Sequence, residues 1–312
     1  MENMVISLNA VLPLFLIIAL GCAAKQLHIL SDDAARQANG LCFKLFMPPL
    51  LFYNVYSTDL ASAYSWKLLV FCVVGTLAEF AFGLLLIPHI EPSRPAQGVM
   101  LQAFCRPNIV LLGLPLSAAL FGPENIGHIA FMLAVLVPLI NILAVLALEL
   151  FRGGTPNPKR ILLGVAKNPF VLGAVAGFLC KLLQIQLPYV LDSVISSMAE
   201  AATPLALVLM GTSMNFGKLQ GCGRSLTVCT VVRLFAAPVV FLSLAVALGF
   251  RGVPLCGVML VFATPVAVNS YTMALQMDGD ADLAGGIVLL TTGLSCLTLF
   301  LWIFLLKALG LF

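Results

Sequence analysis

Long apolar stretches separated by short polar connections run through the whole chain of 312 residues. Each stretch is about 20 residues long, which is the length that a helix needs to span the hydrocarbon core of a bilayer. The pattern predicts an all-α membrane protein with ten transmembrane helices. Their approximate limits are 5–24, 37–55, 67–88, 97–119, 127–150, 168–183, 190–213, 226–249, 254–275 and 283–307. The connections are too short to hold a separate soluble domain.

The composition excludes a soluble globular protein. Hydrophobic residues make up 61% of the chain and charged residues only 9%, whereas soluble domains carry roughly 25% charge. The net charge of +3 gives no reason to expect a nucleic-acid partner. The nine cysteines and three histidines are scattered without the spacing of a metal site, so we expect no metal and no cofactor.

The two halves of the chain share a pattern of prolines. Three prolines recur at offsets of 156, 156 and 158 residues, as the pairs Pro13 and Pro169, Pro48 and Pro204, and Pro107 and Pro265. This spacing predicts an internal duplication, with a first five-helix repeat at 1–151, a basic cytoplasmic linker at 152–167 that is turn-rich over 152–160, and a second repeat at 168–312. Because five is an odd number, the second repeat enters the membrane from the opposite side, so the repeats are inverted.

The basic residues predict the orientation. Nine of them fall in the odd-numbered connections: Lys25, Arg36, Arg94, Arg152, Lys159, Arg160, Lys167, Lys218 and Arg224. Four fall in the even-numbered connections and tails: Lys67, Lys181, Arg251 and Lys307. The positive-inside rule then places the odd connections in the cytoplasm and both termini outside, in a multi-pass membrane protein.

Spans four and nine are interrupted by polar residues around a proline. Proline removes a backbone donor, which a bilayer tolerates only beside protein, water or a ligand. If both spans break near the midplane and cross, two helix N-termini point at one place and suit an anionic group. The carbonyl groups freed nearby would hold a cation or a water. The predicted substrate-binding residues are Arg106, Pro107, Asn108, Thr264, Pro265, Asn269 and Ser270.

Five charged residues lie within predicted spans and away from the span ends: Lys44, Glu79, Arg106, Glu200 and Arg233. For Arg106 the alternatives are a substrate carboxylate, an ion pair with Glu79 or Glu200, and a water-facing position. Lys44 and Arg233 lie near enough to the cytoplasmic ends of their spans to favour snorkelling. Glu79 and Glu200 are candidates for proton coupling, and the alternative for both is an ion pair with Arg106 or Arg233.

Several short motifs resemble those of the auxin efflux carrier family, which includes plant auxin carriers and bacterial malonate and malate permeases. They are Phe46-Met47-Pro48, Arg106-Pro107-Asn108 through Gly113-Leu114-Pro115-Leu116, Phe121-Gly122, Glu149-Leu150-Phe151-Arg152, Phe262-Ala263-Thr264-Pro265 and Thr291-Thr292. The similarity covers essentially the whole chain, and a bacterial permease is the closer likeness because the long central loop of many plant carriers is missing.

The resemblance implies a fold similar to that of bile-acid transporters and sodium/proton antiporters. In that arrangement spans 1, 2, 6 and 7 form a scaffold, and spans 3–5 and 8–10 form a moving core that contains the crossed helices 4 and 9. Substrates lie between the two bodies. The family's functional residues carry over onto Pro107, Asn108 and Pro265.

These observations predict a secondary active transporter of a small organic anion, a mono- or dicarboxylate, that works by alternating access. A proton/cation antiporter of the same fold is the alternative, although spans four and nine have no acidic residue in their interiors. Enzyme motifs such as GxSxG and HExxH do not occur, so we expect no catalysis. The coupling ion is a proton or sodium. Gly173 and Gly177 form a GxxxG motif for close helix contact, either inside the fold or across a homodimer through the scaffold helices.

Overall fold

A computed structural model describes residues 2–57, 65–122, 127–152, 158–213 and 223–312. In the first half the helices are α1 (Glu2–Gln26), α2 (Asp32–Leu41), α3 (Met47–Tyr56), α4 (Trp66–Leu86), α5 (Arg94–Cys105), α6 (Leu114–Phe121), α7 (Gly127–Phe151) and α8 (Pro158–Lys167). In the second half they are α9 (Pro169–Leu182), α10 (Tyr189–Ser213), α11 (Gly223–Val231), α12 (Ala237–Ala247), α13 (Gly252–Ala263), α14 (Asn269–Gln276) and α15 (Ala281–Ala308). Apart from one isolated backbone bridge, regular structure in these ranges is entirely helical.

Three short π-helical turns accompany prolines. They are Cys42–Phe46, Ile109–Gly113 and Val232–Ala236, and each ends two residues before a proline: Pro48, Pro115 and Pro238. A proline ring crowds the carbonyl group four residues earlier and offers no donor to it, and a wider turn relieves both problems. Pro138 and Pro204 lie inside α7 and α10 without such a turn, so proline alone does not force one. The first and third turns join their flanking helices, α2 to α3 and α11 to α12, into continuous rods.

Each predicted span falls on a helix, or on two helices in sequence, within the described residues. Five helical segments there are long and apolar enough to cross a membrane: Trp66–His89, Phe131–Phe151, Tyr189–Thr212, Gly223–Ala247 and Ala281–Ala308. Other predicted spans are shorter or interrupted; α9, for example, has 14 residues and is about 21 Å long at 1.5 Å per residue. A multi-pass membrane protein is therefore supported, while the total of ten crossings stays a prediction.

The connection between the halves differs in part from the expected turn-rich linker. Residues 153–157 lie outside the described residues. Helix α8 begins at Pro158, so the prediction of turns is wrong for 158–160. Proline is favoured in the first turn of a helix, where a missing N–H group leaves no carbonyl unpaired.

The GxxxG motif of α9 lies against α3 of the same chain. A Cβ atom added at Gly173 would come within 2.5 Å of the Pro48 carbonyl oxygen, and one at Gly177 would overlap the carbonyl oxygen of Phe52. The motif therefore serves close packing inside the fold, because only glycine lets the two backbones approach so closely. The homodimer through the scaffold helices stays a prediction.

A second pair of glycines joins α1 to α10 reciprocally. A Cβ atom at Gly21 would overlap the carbonyl oxygen of Val208, and one at Gly211 would overlap that of Ile18. Two apolar clusters fill the rest of the interior, one centred on α5, α7 and α14 and the other on α4, α7 and α13. Outward-facing side chains such as Leu85, Leu182 and Leu301 are exposed, as is typical of a surface that meets lipid.

Candidate substrate site

The two interrupted spans meet side by side, as the sequence predicts. The backbone N–H of Asn108 donates to the Pro265 carbonyl oxygen at 2.8 Å, and the N–H of Ala267 donates to the Arg106 carbonyl oxygen at 3.1 Å. These bonds form an isolated antiparallel bridge between Pro107 and Val266. A proline nitrogen carries no hydrogen, so it needs no acceptor. The segments around Pro107 and Pro265 therefore pair with each other, and each supplies a hydrogen-bond partner for backbone groups that the interruption of the other span leaves without one.

A cavity of about 500 Å³ lies against this crossing. One wall is built by the crossing itself, with side chains of residues 106–110 and 267–269, and by α7. The opposite wall is built by α1, α3 and α10, and most of its side chains are apolar. The cavity is therefore a mainly hydrophobic chamber with a small number of polar groups, which is the usual make-up of a small-molecule site.

Arg106 is the cation among the described lining residues, and it is only 2% exposed. Its Nη2 donates to Asn141 Oδ1 at 2.9 Å, its Nη1 donates to Met273 Sδ, and the guanidinium lies 5.6 Å from the ring centre of Phe170. No carboxylate of the described residues forms an ion pair with it. The ion-pair alternative for Arg106 is therefore wrong within those residues, and a buried positive charge faces the chamber with neutral partners.

Asparagine amides supply further polar groups around the cavity. Asn108 and Asn269, which were predicted from sequence, both line it. The Nδ2 of Asn108 is buried and has no hydrogen-bond partner among the described residues. Asn141 also lines the cavity, and it holds Arg106 while its own Nδ2 donates to the Val137 carbonyl oxygen at 2.8 Å. Sequence reasoning missed Asn141, although an amide inside the apolar span 127–150 is the kind of costly residue that signals a site.

Three other predicted site residues do not line the cavity. Thr264 is buried and donates its hydroxyl hydrogen to the Leu260 carbonyl oxygen at 2.6 Å. Pro265 contributes only its carbonyl oxygen, to Asn108. Ser270 is buried within α14, and its hydroxyl has no partner among the described residues. The positions of these three residues do not support direct contact with a substrate. They support a structural role behind the crossing.

Arg233 lies within the protein interior and does not snorkel, so that expectation is wrong. The side chain is completely buried. It donates from Nε to the Thr264 carbonyl oxygen at 2.8 Å, from Nη1 to that of Phe104 at 2.9 Å and from Nη2 to that of Val261. Phe104 and Val261 lie in the last turns of α5 and α13, and Thr264 directly follows α13. Carbonyl groups at these helix ends have no helical partner and attract a positive charge. By contrast, Lys44 is exposed, and its snorkelling stays a prediction.

Glu79 pairs with Arg233 and not with Arg106. Its Oε2 lies 3.7 Å from Arg233 Nη1, and its Oε1 is buried without a hydrogen-bond partner among the described residues. The ion-pair alternative considered for Glu79 is thus the one observed. The carboxylate supplies a counter-charge for a guanidinium that is otherwise bonded only to neutral carbonyl groups.

Glu200 occupies a different place, because its exposed side chain lines the cavity. Ser196, one helical turn earlier on α10, donates to Glu200 Oε1 at 3.4 Å. Neither Arg106 nor Arg233 pairs with it among the described residues. The described lining of the chamber therefore holds one positive and one negative side chain, and these do not neutralise each other directly.

Comparison with known proteins gives the family. The family model described as membrane transport protein matches residues 6–159 and 156–303, which is nearly the whole chain. The chain belongs to this family of membrane transport proteins. The resemblance to auxin efflux carriers, inferred from the motifs around Pro107 and Pro265, is thereby confirmed.

Three curated relatives of this membrane transport protein agree with that assignment. An uncharacterized transporter of Methanothermobacter thermautotrophicus is 25% identical over 300 residues, covering 95% of this chain and 97% of the relative. An uncharacterized transporter of Methanocaldococcus jannaschii is 22% identical over 312 residues, covering 95% and 98%. A provisionally named malonate transporter of Rhizobium meliloti is 26% identical over 256 residues, covering 77% and 76%.

Proposed function

We propose that this membrane transport protein is a secondary active transporter that carries a small organic anion, a mono- or dicarboxylate, by alternating access. The observation that carries the proposal is Arg106, a buried cation that faces a chamber of about 500 Å³ without a carboxylate partner among the described residues. A lone guanidinium in a membrane interior is unfavourable by about 2.5–3.5 kcal/mol even on the lenient insertion scale. An incoming carboxylate is the group that relieves this cost, since arginine binds carboxylates through two parallel N–H groups.

The rest of the crossing adds to the attraction for an anion. The π-helical turn Ile109–Gly113 and α14 both begin at the cavity wall, and the first N–H groups of a helix carry a partial positive charge. Asn108 and Asn141 present amide groups beside them, and amide N–H groups can hold a carboxylate oxygen. The apolar side of the chamber then receives the remainder of the substrate.

The proposed transport cycle uses two inverted repeats of five spans. The antiparallel direction of the bridge between Pro107 and Val266 supports this arrangement, because halves that enter from opposite sides bring their broken spans together in opposite directions. Helices α1, α2 with α3, α9 and α10 would form the scaffold, and the crossing would move against it with the substrate between them. The location of the cavity between α1, α3 and α10 on one side and the crossing on the other supports that division. Both termini would lie outside a bacterial cytoplasmic membrane.

A proton/cation antiporter remains the alternative function. Such a protein needs carboxylates at the crossing to bind its cations. The described lining of the cavity contains one carboxylate, Glu200, and it lies on α10 and not on the crossing segments. The positive charge of Arg106 at the crossing favours an anion instead.

Binding and flux measurements test the proposal in sequence. The purified chain is screened by thermal unfolding against mono- and dicarboxylates, with malonate included because one relative bears that name. Carboxylates that raise the unfolding midpoint are then tested for uptake into proteoliposomes. Saturable uptake that is lost in Arg106→Gln and retained in Lys44→Gln is the expected result. Uptake of sodium or protons without any carboxylate flux would favour the antiporter.

A further inference from the structure

The crossing brings two helix C-termini together around one side chain. Helices α5 and α13 end at Cys105 and Ala263, one on each interrupted span. Carbonyl oxygens from both last turns accept hydrogen bonds from the same guanidinium, that of Arg233. The side chain reaches them from the π-helical turn Val232–Ala236, between α11 and α12.

Converging carbonyl oxygens at broken helices form a natural cation site. The C-terminal end of a helix carries about half a negative charge, and two such ends add their fields at the place where they meet. Half-helix C-termini of this kind are where transporters hold a coupling cation such as sodium. In the present chain that position is filled by a positive charge attached covalently to the protein.

We propose that Arg233 is a built-in cation that occupies the position of an exchangeable coupling ion, so that transport by this chain is independent of sodium. The proposal rests on the proposed transport function. Glu79 completes the arrangement as the counter-charge, at 3.7 Å from Arg233 Nη1. Arg233 is a positioning residue and not a substrate ligand, because it lies outside the cavity lining and acts through the segments that carry Arg106 and Asn108.

A stability experiment tests the occupied site without any knowledge of the substrate. Thermal unfolding of the full-length purified protein is compared between Arg233→Ala and Lys44→Ala, the second being an exposed basic residue in the π-helical turn Cys42–Phe46. We expect a lower midpoint for Arg233→Ala only, and a saturable rise when millimolar guanidinium chloride is added but not when choline chloride is. Arg233→Lys should lie between the unaltered protein and Arg233→Ala, because an ammonium keeps the charge but lacks the planar fork. If guanidinium adds nothing beyond choline, the side chain acts by packing alone and the proposal fails.

Measurements on the unaltered protein keep the proposal testable even if Arg233→Ala does not fold. The thermal unfolding midpoint of the unaltered protein should be equal in sodium chloride and in choline chloride of the same concentration. Uptake into proteoliposomes of a carboxylate found in the screen should proceed at the same rate, within about twofold, with either salt outside. Stabilisation specific to sodium, or uptake that needs sodium, would overturn the built-in cation. Absence of any carboxylate uptake would count against the proposed function instead, and the stability result would still decide the role of Arg233.

Discussion

Replacing Arg106 by glutamine should weaken carboxylate binding severely and leave the fold nearly as stable as before. A guanidinium has five N–H groups, and two of those of Arg106 are engaged by Asn141 and Met273. The other three have no hydrogen-bond partner among the described residues, which leaves them available to a ligand in the cavity. Two charge-assisted hydrogen bonds to a carboxylate are worth about 3 kcal/mol at the lower end of the usual range. The dissociation constant should therefore rise about 150-fold, at 1.4 kcal/mol for each factor of ten.

The same substitution has opposing effects on stability. The charge-assisted bond from Arg106 to Asn141 is lost, at about 1.5–3 kcal/mol. The burial of an unpaired guanidinium is lost as well, and that relieves about 2.5–3.5 kcal/mol. Because the two contributions nearly cancel, we expect the unfolding midpoint without ligand to stay within a few degrees of the unaltered protein.

The assay pairs ligand-free and ligand-bound measurements on three variants. Binding constants are obtained by titration calorimetry with the carboxylate that gives the largest thermal shift. Arg106→Lys should bind the carboxylate with intermediate strength, since an ammonium group keeps the charge but lacks the planar pair of parallel N–H donors. Lys44→Gln is the control, because it removes an exposed cation that does not line the cavity, and it should change neither the dissociation constant nor the unfolding midpoint. A change of less than about threefold in the dissociation constant of Arg106→Gln, with the fold intact, would refute the assignment of the anion site.

Three further outcomes follow from the packing and the charges. Gly211→Ala should lower the free energy of unfolding by about 1–3 kcal/mol, because the added methyl group would overlap the Ile18 carbonyl oxygen. Gly223→Ala is the control, because no atom lies within 4 Å of its added Cβ, and it should leave the free energy of unfolding unchanged in the same denaturation experiment. Glu200→Gln should tighten the binding of dicarboxylates by up to about fivefold, because it removes a negative charge that repels them from the cavity lining, and exposed charges interact by about 1 kcal/mol or less. Weaker binding in calorimetry would contradict this repulsion. Glu79→Gln should lower stability by up to about 3–5 kcal/mol, as expected when one partner of a buried ion pair is removed, and an unchanged midpoint would mean that the carbonyl groups alone support Arg233.

The broken spans were predictable because their cause is local. Pro107 and Pro265 remove backbone donors within apolar stretches, and the helices do end at Cys105 and Ala263, directly before these segments. The matching offsets of the prolines also indicated that the two breaks correspond. Asn108 and Asn269 could be predicted to line the site for the same reason, since they follow the breaks in sequence.

The neutral partners of the two buried arginines were not predictable from their positions in the chain, although the pairing of Glu79 with Arg233 was among the alternatives considered. Arg233 was expected to snorkel because it lies within reach of a span end, yet it turns inward. Its attraction is the field of two helix C-termini, and these come together only when α5 and α13 are folded against each other. Asn141 was likewise missed, because its role depends on Arg106, a residue in the interrupted part of another span.

The sequence by itself determined the membrane class, the helical segments and the two places where helices must break, because span length, hydropathy and proline chemistry act over a few neighbouring residues. Only the tertiary structure decided which cation faces the cavity and which one holds the crossing together. Arg106 and Arg233 are both buried arginines in apolar spans. What separates them is the set of oxygens brought around each from distant parts of the chain, and a buried charge takes its role from those neighbours.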